Sequence, residues 1–298
     1  MKGFNNILLL ISKDDEKQLE NLIKNANLIT HFLKANLSVG LIAAKISSVQ
    51  NTISKLNRMN RPLGFSLIRS RHGSVKEEVA KLIQEHSINL LLIQYDPQHF
   101  DSGNLSHDHI LIKQKKELIE FCSIPVLLVP VSLSMQVKPF FSLVVPMSGE
   151  RKGCESLDIA IQLGNDLDLP VDLVHVSEDK PILEGGDLFD QLSDQISLEY
   201  PRLVEEFVAE AIPYCGVHER QCIRNFFHDS GKAIDLINGR MQTGQRSLLL
   251  FEWKGFFGVG RARLLKELLT SADYPLLLIK SKNNKHSILK AGRNFRAA

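Results

Sequence analysis

A chain of 298 residues, 44% apolar and 23% charged, has the composition of a globular protein and the length for two ordinary domains. Its apolar strings, such as 90–93 and 126–131, are far too short to cross a bilayer. A net charge of +2 gives no reason to expect nucleic acid as a partner, and the four cysteines fit a reducing compartment better than a disulfide framework.

The first residues lead straight into an apolar strand at 7–11, with no signal-peptide core. The cytoplasm is therefore the expected location, without membrane insertion. A helix follows over about 17–33, with Leu19, Leu22, Ile23, Ala26, Ile29 and Leu33 at helical spacing. Gly73 precedes a helix at 74–86 and the strand 90–93, which has no polar alternate and reads as central in a sheet. A polar loop carries His99, Asp101, His107, Asp108 and His109. His-x-His binds a metal only with a further ligand that the sequence does not identify, so this reads as a solvated loop. A strand opening at Pro125 closes the first half. The link 132–139 is short enough to keep the two sheets against each other.

The second half takes the same order. A strand at 143–147 leads to a helix near 155–166 and a strand ending at His175-Val176. His175 reads as a hydrogen-bonded core residue. An acidic stretch at 178–200 reads as solvated surface, and 199–211 as a helix. Cys215, His218 and Cys222 lack a fourth zinc ligand, which favours the cysteines as small apolar residues near the start of a strand. Gly231 then precedes a helix at 232–242 and the strand 248–251, at the spacing seen after Gly73. A strand opening at Pro275 closes the half, and the basic, apolar-poor tail 284–298 reads as flexible.

The fold class is α/β: two tandem, doubly wound parallel-sheet domains of Rossmann-like type, at 1–134 and 135–283. A repeat this long is a repeated domain, not a solenoid module.

Several stretches resemble the universal stress protein family. Leu143–Met147 followed by Ser148-Gly149, the strand ending His175-Val176, and the closing strands at Pro125 and Pro275 are similar to that family's opening, second and final strands. Gly73 and Gly231 stand where the family has a glycine before its third helix. The resemblance covers about 4–281 as two copies, and it implies an adenine-nucleotide-α-hydrolase-like fold whose members either bind ATP or do not. In the binders, a Gly-x-x-Gly pair and a later Gly-Ser or Gly-Thr follow the fourth strand, where backbone N–H groups close on phosphate oxygens.

This chain departs from that pattern. Ser12 and Ser148 stand where the family has an acidic residue that meets the adenosine. In the first half a single glycine, Gly103, follows the fourth strand, and Ile112-Lys113 fall at the Gly-Ser position. In the second half Gly255 and Gly258 keep the first spacing. The Gly-Ser position, however, falls on Leu268-Leu269 counted from Gly258, or on Ala262-Arg263 counted from Pro275. Gly258, Gly260, Arg261 and Arg263 remain able to receive an anion at a helix start, or to form a turn packed by Phe256 and Phe257.

The degenerate cofactor-binding set implied is Ser148, Val176, Gly255, Gly258, Gly260, Arg261 and Arg263. No cofactor is expected, ATP or AMP in the second domain being the exception this set would admit. No nucleophile elbow or base–orienter pair occurs, and neither an enzyme nor a metal site is expected. The function implied is a non-enzymatic stress-adaptation protein acting through protein partners or self-association, with its two domains pairing within the chain. The alternatives are a nucleotide- or anion-sensing regulator using the second domain, and a regulatory partner of a membrane cation transporter, to whose cytosolic domains Trp253–Gly258 is similar.

Overall fold

A computed structural model describes residues 3–11, 19–43, 54, 64–69, 75–98, 108–147, 155–177, 222–243, 246–255, 257 and 262–281. The first half holds β1 (Asn6–Ile11), α1 (Leu19–Phe32), β2 (Asn36–Ala43), β3 (Gly64–Arg69), α2 (Val75–Glu85), β4 (Leu90–Tyr95), α3 (Asp108–Phe121) and β5 (Val126–Pro130). The second holds β6 (Ser142–Met147), α4 (Glu155–Leu167), β7 (Val171–Ser177), β8 (Ile223–Ser230), α5 (Ala233–Thr243), β9 (Ser247–Trp253), α6 (Arg263–Ser271) and β10 (Leu276–Lys280).

The ten strands form one sheet in the order β3-β2-β1-β4-β5-β10-β9-β6-β7-β8. Read outward from the middle, each half has the same strand order. Every neighbouring pair is parallel except β5 and β10. These two run antiparallel with Leu277 opposite Leu127, Leu276 opposite Leu128 and Leu278 opposite Val126. Counted from Pro275 and Pro125, Leu277 and Leu127 are equivalent positions, so a pseudo-two-fold axis passes between them. The halves are thus joined edge to edge by backbone hydrogen bonds, and the contact expected from the short link is this shared sheet, not face-to-face packing. Joining them this way removes two unpaired strand edges.

Strand alternation sorts the core into two layers. On one face Ile7, Leu9, Leu92, Leu127, Leu143, Leu250 and Leu277 pack with the apolar stripes of α1 and α4. On the other, Leu8, Leu91, Leu128, Leu249 and Leu278 pack with residues of α2, α3, α5 and α6. Both layers cross the junction. β4, expected to be central, is buried along its whole length between β1 and β5.

The link between the halves is held from below by two asparagines of α1, Asn21, which donates from Nδ2 to the Leu133 carbonyl at 3.2 Å, and Asn25. Asn25 on α1 is fully buried, donates from Nδ2 to the Leu133 carbonyl at 2.8 Å, and accepts at Oδ1 from the Met135 N–H at 3.0 Å. Phe140 then packs edge-on against Phe32, with ring centroids 6.0 Å apart. One correction concerns Asp108 and His109. The sequence reading put them in a polar loop, whereas they open α3; an aspartate in a first helical turn is favoured by the helix dipole. Ile112-Lys113 lie inside that helix.

Candidate functional site

In a doubly wound sheet, ligands sit beyond the carboxyl ends of the strands where the strand order reverses. In the second half that point lies between β6 and β9, and in the first between β1 and β4. Near the second-half point, β9 ends in Glu252-Trp253, α4 begins at Glu155-Ser156, and the chain continues through Gly255 to Phe257.

Two backbone donors there are already engaged by carboxylates of the chain itself. The Ser156 N–H in the first turn of α4 donates to Glu252 Oε2 at 3.3 Å. The Phe257 N–H, inside the Gly-x-x-Gly stretch, donates to Glu120 Oε1 at 2.6 Å. Glu120 belongs to α3 of the other half, so this contact crosses the junction. Lys280, the last residue of β10, donates from Nζ to the Glu120 carbonyl at 2.7 Å. It thereby satisfies an orphan carbonyl at the C-terminal end of α3 with a cation, the charge that a helix C-terminus favours.

Gly255 has φ 77, in the left-handed region, and a Cβ added there would run into the Lys280 side chain. Glycine is needed at this position for both reasons. Trp253 and Phe257 are in ring contact, with centroids 4.8 Å apart. The described part of the stretch is therefore a turn closed over the end of α3 by a lysine, a carboxylate and an aromatic pair.

The electrostatics follow from burial. The Glu252 carboxyl is pushed up by desolvation, an effect that its hydrogen bonds from Ser156 and Ser281 oppose. Cys122, directly after α3, is pushed up to about 12 by burial, against the opposing pull of the Lys280 ammonium. A thiol in that state is a poor nucleophile at neutral pH.

The first half is arranged differently. Gln94 occupies the position equivalent to Glu252, counted from the matched pairs Ile7–Leu90 and Leu143–Leu248. Lys115 on α3 donates to the Gln94 carbonyl at 3.0 Å. Tyr95 is buried and donates across the junction to the Ala272 carbonyl at 3.0 Å, with its phenol pushed up chiefly by desolvation.

Of the residues named from the sequence, Gly255 is at the turn just described. Arg263 is the first residue of α6, where its Nε is paired with Glu267 Oε1 at 2.8 Å on an exposed face. The backbone of Val176 lies in β7 beside Asp229 of β8, which places it one strand further from the reversal point. Ser148, Gly258, Gly260 and Arg261 lie outside the described residues, as do Ser12, His99, Asp101, His107, Cys215, His218, 178–200 and the tail 284–298. His175 lies on β7, and Cys222 stands immediately before β8 with Sγ 3.8 Å from the Ile161 carbonyl.

Among the described residues, no group of His, Cys, Asp and Glu could hold a metal ion, and no helix is long and apolar enough to cross a membrane. The sequence reading did not single out Glu252, Glu120 or Lys280. A charged residue ending the apolar run Leu248–Phe251 was a signal for Glu252. Nothing local marks Glu120, because its partner is 137 positions away.

No protein-family model matches the sequence, and no curated protein matches it significantly. Solved structures do match. A functionally unknown protein from Pseudomonas aeruginosa PAO1 has a TM-score of 0.58 at 15% identity, over 93% of this chain and 92% of that one. A putative universal stress protein from Pseudomonas aeruginosa UCBPP-PA14 has a TM-score of 0.57 at 15% identity, over 93% of each chain. A universal stress protein from Archaeoglobus fulgidus DSM 4304 has a TM-score of 0.54 at 11% identity, over 95% of this chain and 98% of that one. The chain therefore has the fold of the universal stress proteins, along almost its whole length.

Proposed function

We propose that this chain is a universal-stress-protein-like protein that is not an enzyme, does not bind ATP in the family's usual way, and acts in the cytoplasm through protein interaction in stress adaptation. The observation that supports this reading is the pair of internal carboxylates. Glu120 engages the Phe257 N–H, within the Gly-x-x-Gly stretch where a phosphate-binding member would present donors to its ligand, and Glu252 engages the Ser156 N–H at the neighbouring start of α4. A phosphate approaching either donor meets a negative charge already hydrogen-bonded there, and like charges at such distances repel strongly in a partly buried site. The loss of the family's Gly-Ser step, whose place falls on Leu268-Leu269 inside α6 or on Ala262-Arg263 at its start, supports the same reading.

Thermal unfolding in the presence of ATP and AMP tests it. A ligand of the native state must raise the melting temperature, increasingly so as its concentration exceeds the dissociation constant. The expected result is no shift at micromolar nucleotide. A concentration-dependent rise of several degrees at those concentrations overturns the proposal.

A further inference from the structure

A cavity opens at the opposite edge of the sheet, at the amino ends of β9 and β10. Its volume is about 280 Å³, near the lower end for small-molecule sites. Leu133, Met135 and Met241 supply apolar wall, and Arg246, Asp273 and Tyr274 supply polar groups.

Three observations make this more than a gap in packing. First, Arg246 Nη1 is buried and has no hydrogen-bond partner. Arg246 is half-buried in the cavity wall and carries several donors, and a buried donor without an acceptor is costly, so the side chain as a whole favours an anionic oxygen. Second, the neighbouring polar side chains are occupied elsewhere. The Tyr274 hydroxyl donates to Asn238 Oδ1 at 2.6 Å, and the Ser247 and Ser142 hydroxyls share a hydrogen bond of 2.6 Å. They shape the wall and do not compete for the Arg246 guanidinium. Third, the feature is confined to one half. Counting by the matched strands, Ile88, Ser123 and Ile124 stand in the first half where Arg246, Asp273 and Tyr274 stand in the second, and Ile88 is buried apolar core. The same scaffold position is thus packed in one half and charged in the other.

Arg246 is also held in place. Its φ is 50, in the left-handed region that side-chain-bearing residues seldom adopt, and its carbonyl accepts from the Phe141 N–H at 3.1 Å. Asp273, exposed, brings a carboxylate to the same cavity. An anion-seeking guanidinium and a cation-seeking carboxylate flanking an apolar wall are complementary to a molecule carrying both charges and an apolar side chain.

We propose that this cavity binds an apolar α-amino acid, with its carboxylate on Arg246, its ammonium facing Asp273 and its side chain over Met135 and Met241. The planar fork of arginine suits a carboxylate with two oxygens. The site is separate from the carboxyl-edge turn described above, and it stands or falls independently of nucleotide binding.

Isothermal titration of the full chain with L-leucine, L-methionine and 4-methylpentanoate, which is leucine without its amino group, tests the assignment. Saturable binding of the amino acids is expected. Arg246→Gln should weaken it by about tenfold or more, since a hydrogen bond to a charged group contributes about 1.5–3 kcal/mol and 1.4 kcal/mol is one decade. Asp273→Asn, a change at an exposed position that leaves the fold intact, should weaken the amino acids while leaving 4-methylpentanoate unchanged. No saturable binding of any probe, or amino-acid binding unaffected by Arg246→Gln in a variant with a wild-type melting profile, overturns the proposal. Equal weakening of all three probes by Asp273→Asn overturns the assignment of a zwitterion.

Discussion

The two halves of this molecule repeat one backbone and diverge in the side chains laid on it. The Leu91 N–H donates to the Pro125 carbonyl at 3.0 Å, and the Leu249 N–H to the Pro275 carbonyl at 3.1 Å. The Cys122 N–H caps α3 on Leu118, and the Ala272 N–H caps α6 on Leu268, at 2.9 and 2.8 Å. Lys34 and Asp168, just beyond α1 and α4, have φ of 53 and 52. Against this sameness, Gln94 faces Glu252 in the comparison, Cys122 faces Ala272, and the buried Asn25 faces the buried Ile159. The shared features are those that close a parallel sheet and end its helices. The differences lie at the link, at the carboxyl-edge turn and at the Arg246 cavity.

The largest expected effects test the symmetry itself. Leu127→Ala and Leu277→Ala each empty a fully packed position on the pseudo-two-fold axis, and each should lower stability by about 2–5 kcal/mol in urea unfolding. Because the two residues lie opposite one another, the double variant should depart from additivity. Costs that differ by more than twofold between the single variants would show that the halves are not energetically equivalent there.

Asn25→Ala should cost less, about 1–3 kcal/mol, because it leaves the Met135 N–H without a partner while the Leu133 carbonyl keeps its second donor, Asn21 Nδ2 at 3.2 Å. A loss under 1 kcal/mol in the same urea titration would mean that the link is not held by this residue.

A smaller effect should follow from Glu252→Gln, which gives the second half the amide that the first half carries as Gln94. Burial raises the Glu252 carboxyl above its ordinary range, so the folded state holds that proton to a higher pH than the unfolded chain does. The group thus favours folding below the ordinary carboxylate range, and this contribution is lost as pH rises through the elevated value. Glutamine keeps an acceptor for the Ser156 N–H without the charge. The variant should be more stable than the parent near pH 7, the two curves converging toward pH 4, as read by melting temperature against pH. A parent curve that does not diverge from the variant's would remove the argument.

The smallest effect concerns Cys122, which matches Ala272. Its buried, elevated thiol should resist alkylation at pH 8 in the folded protein and react on unfolding, while the half-buried Cys222 reacts sooner. Peptide mapping after iodoacetamide treatment would show the order.

Apolar periodicity, the X-Pro steps at Pro125 and Pro275, and the matched positions of Gly73 and Gly231 were enough to read strands, helices and fold class from the sequence, because these are local signals of backbone geometry and burial. The loss of the family's glycine step was legible in the same way, since it rests on spacing along the chain. The edge-to-edge pairing of β5 with β10 was not, because any two apolar strands are equally plausible neighbours until the chain closes. Nor could the sequence bring Glu120 to Phe257 or Tyr95 to Ala272. Each of these contacts joins residues far apart in the chain, and hydrogen bonds and charges act over a few ångströms of space, whatever the separation in sequence.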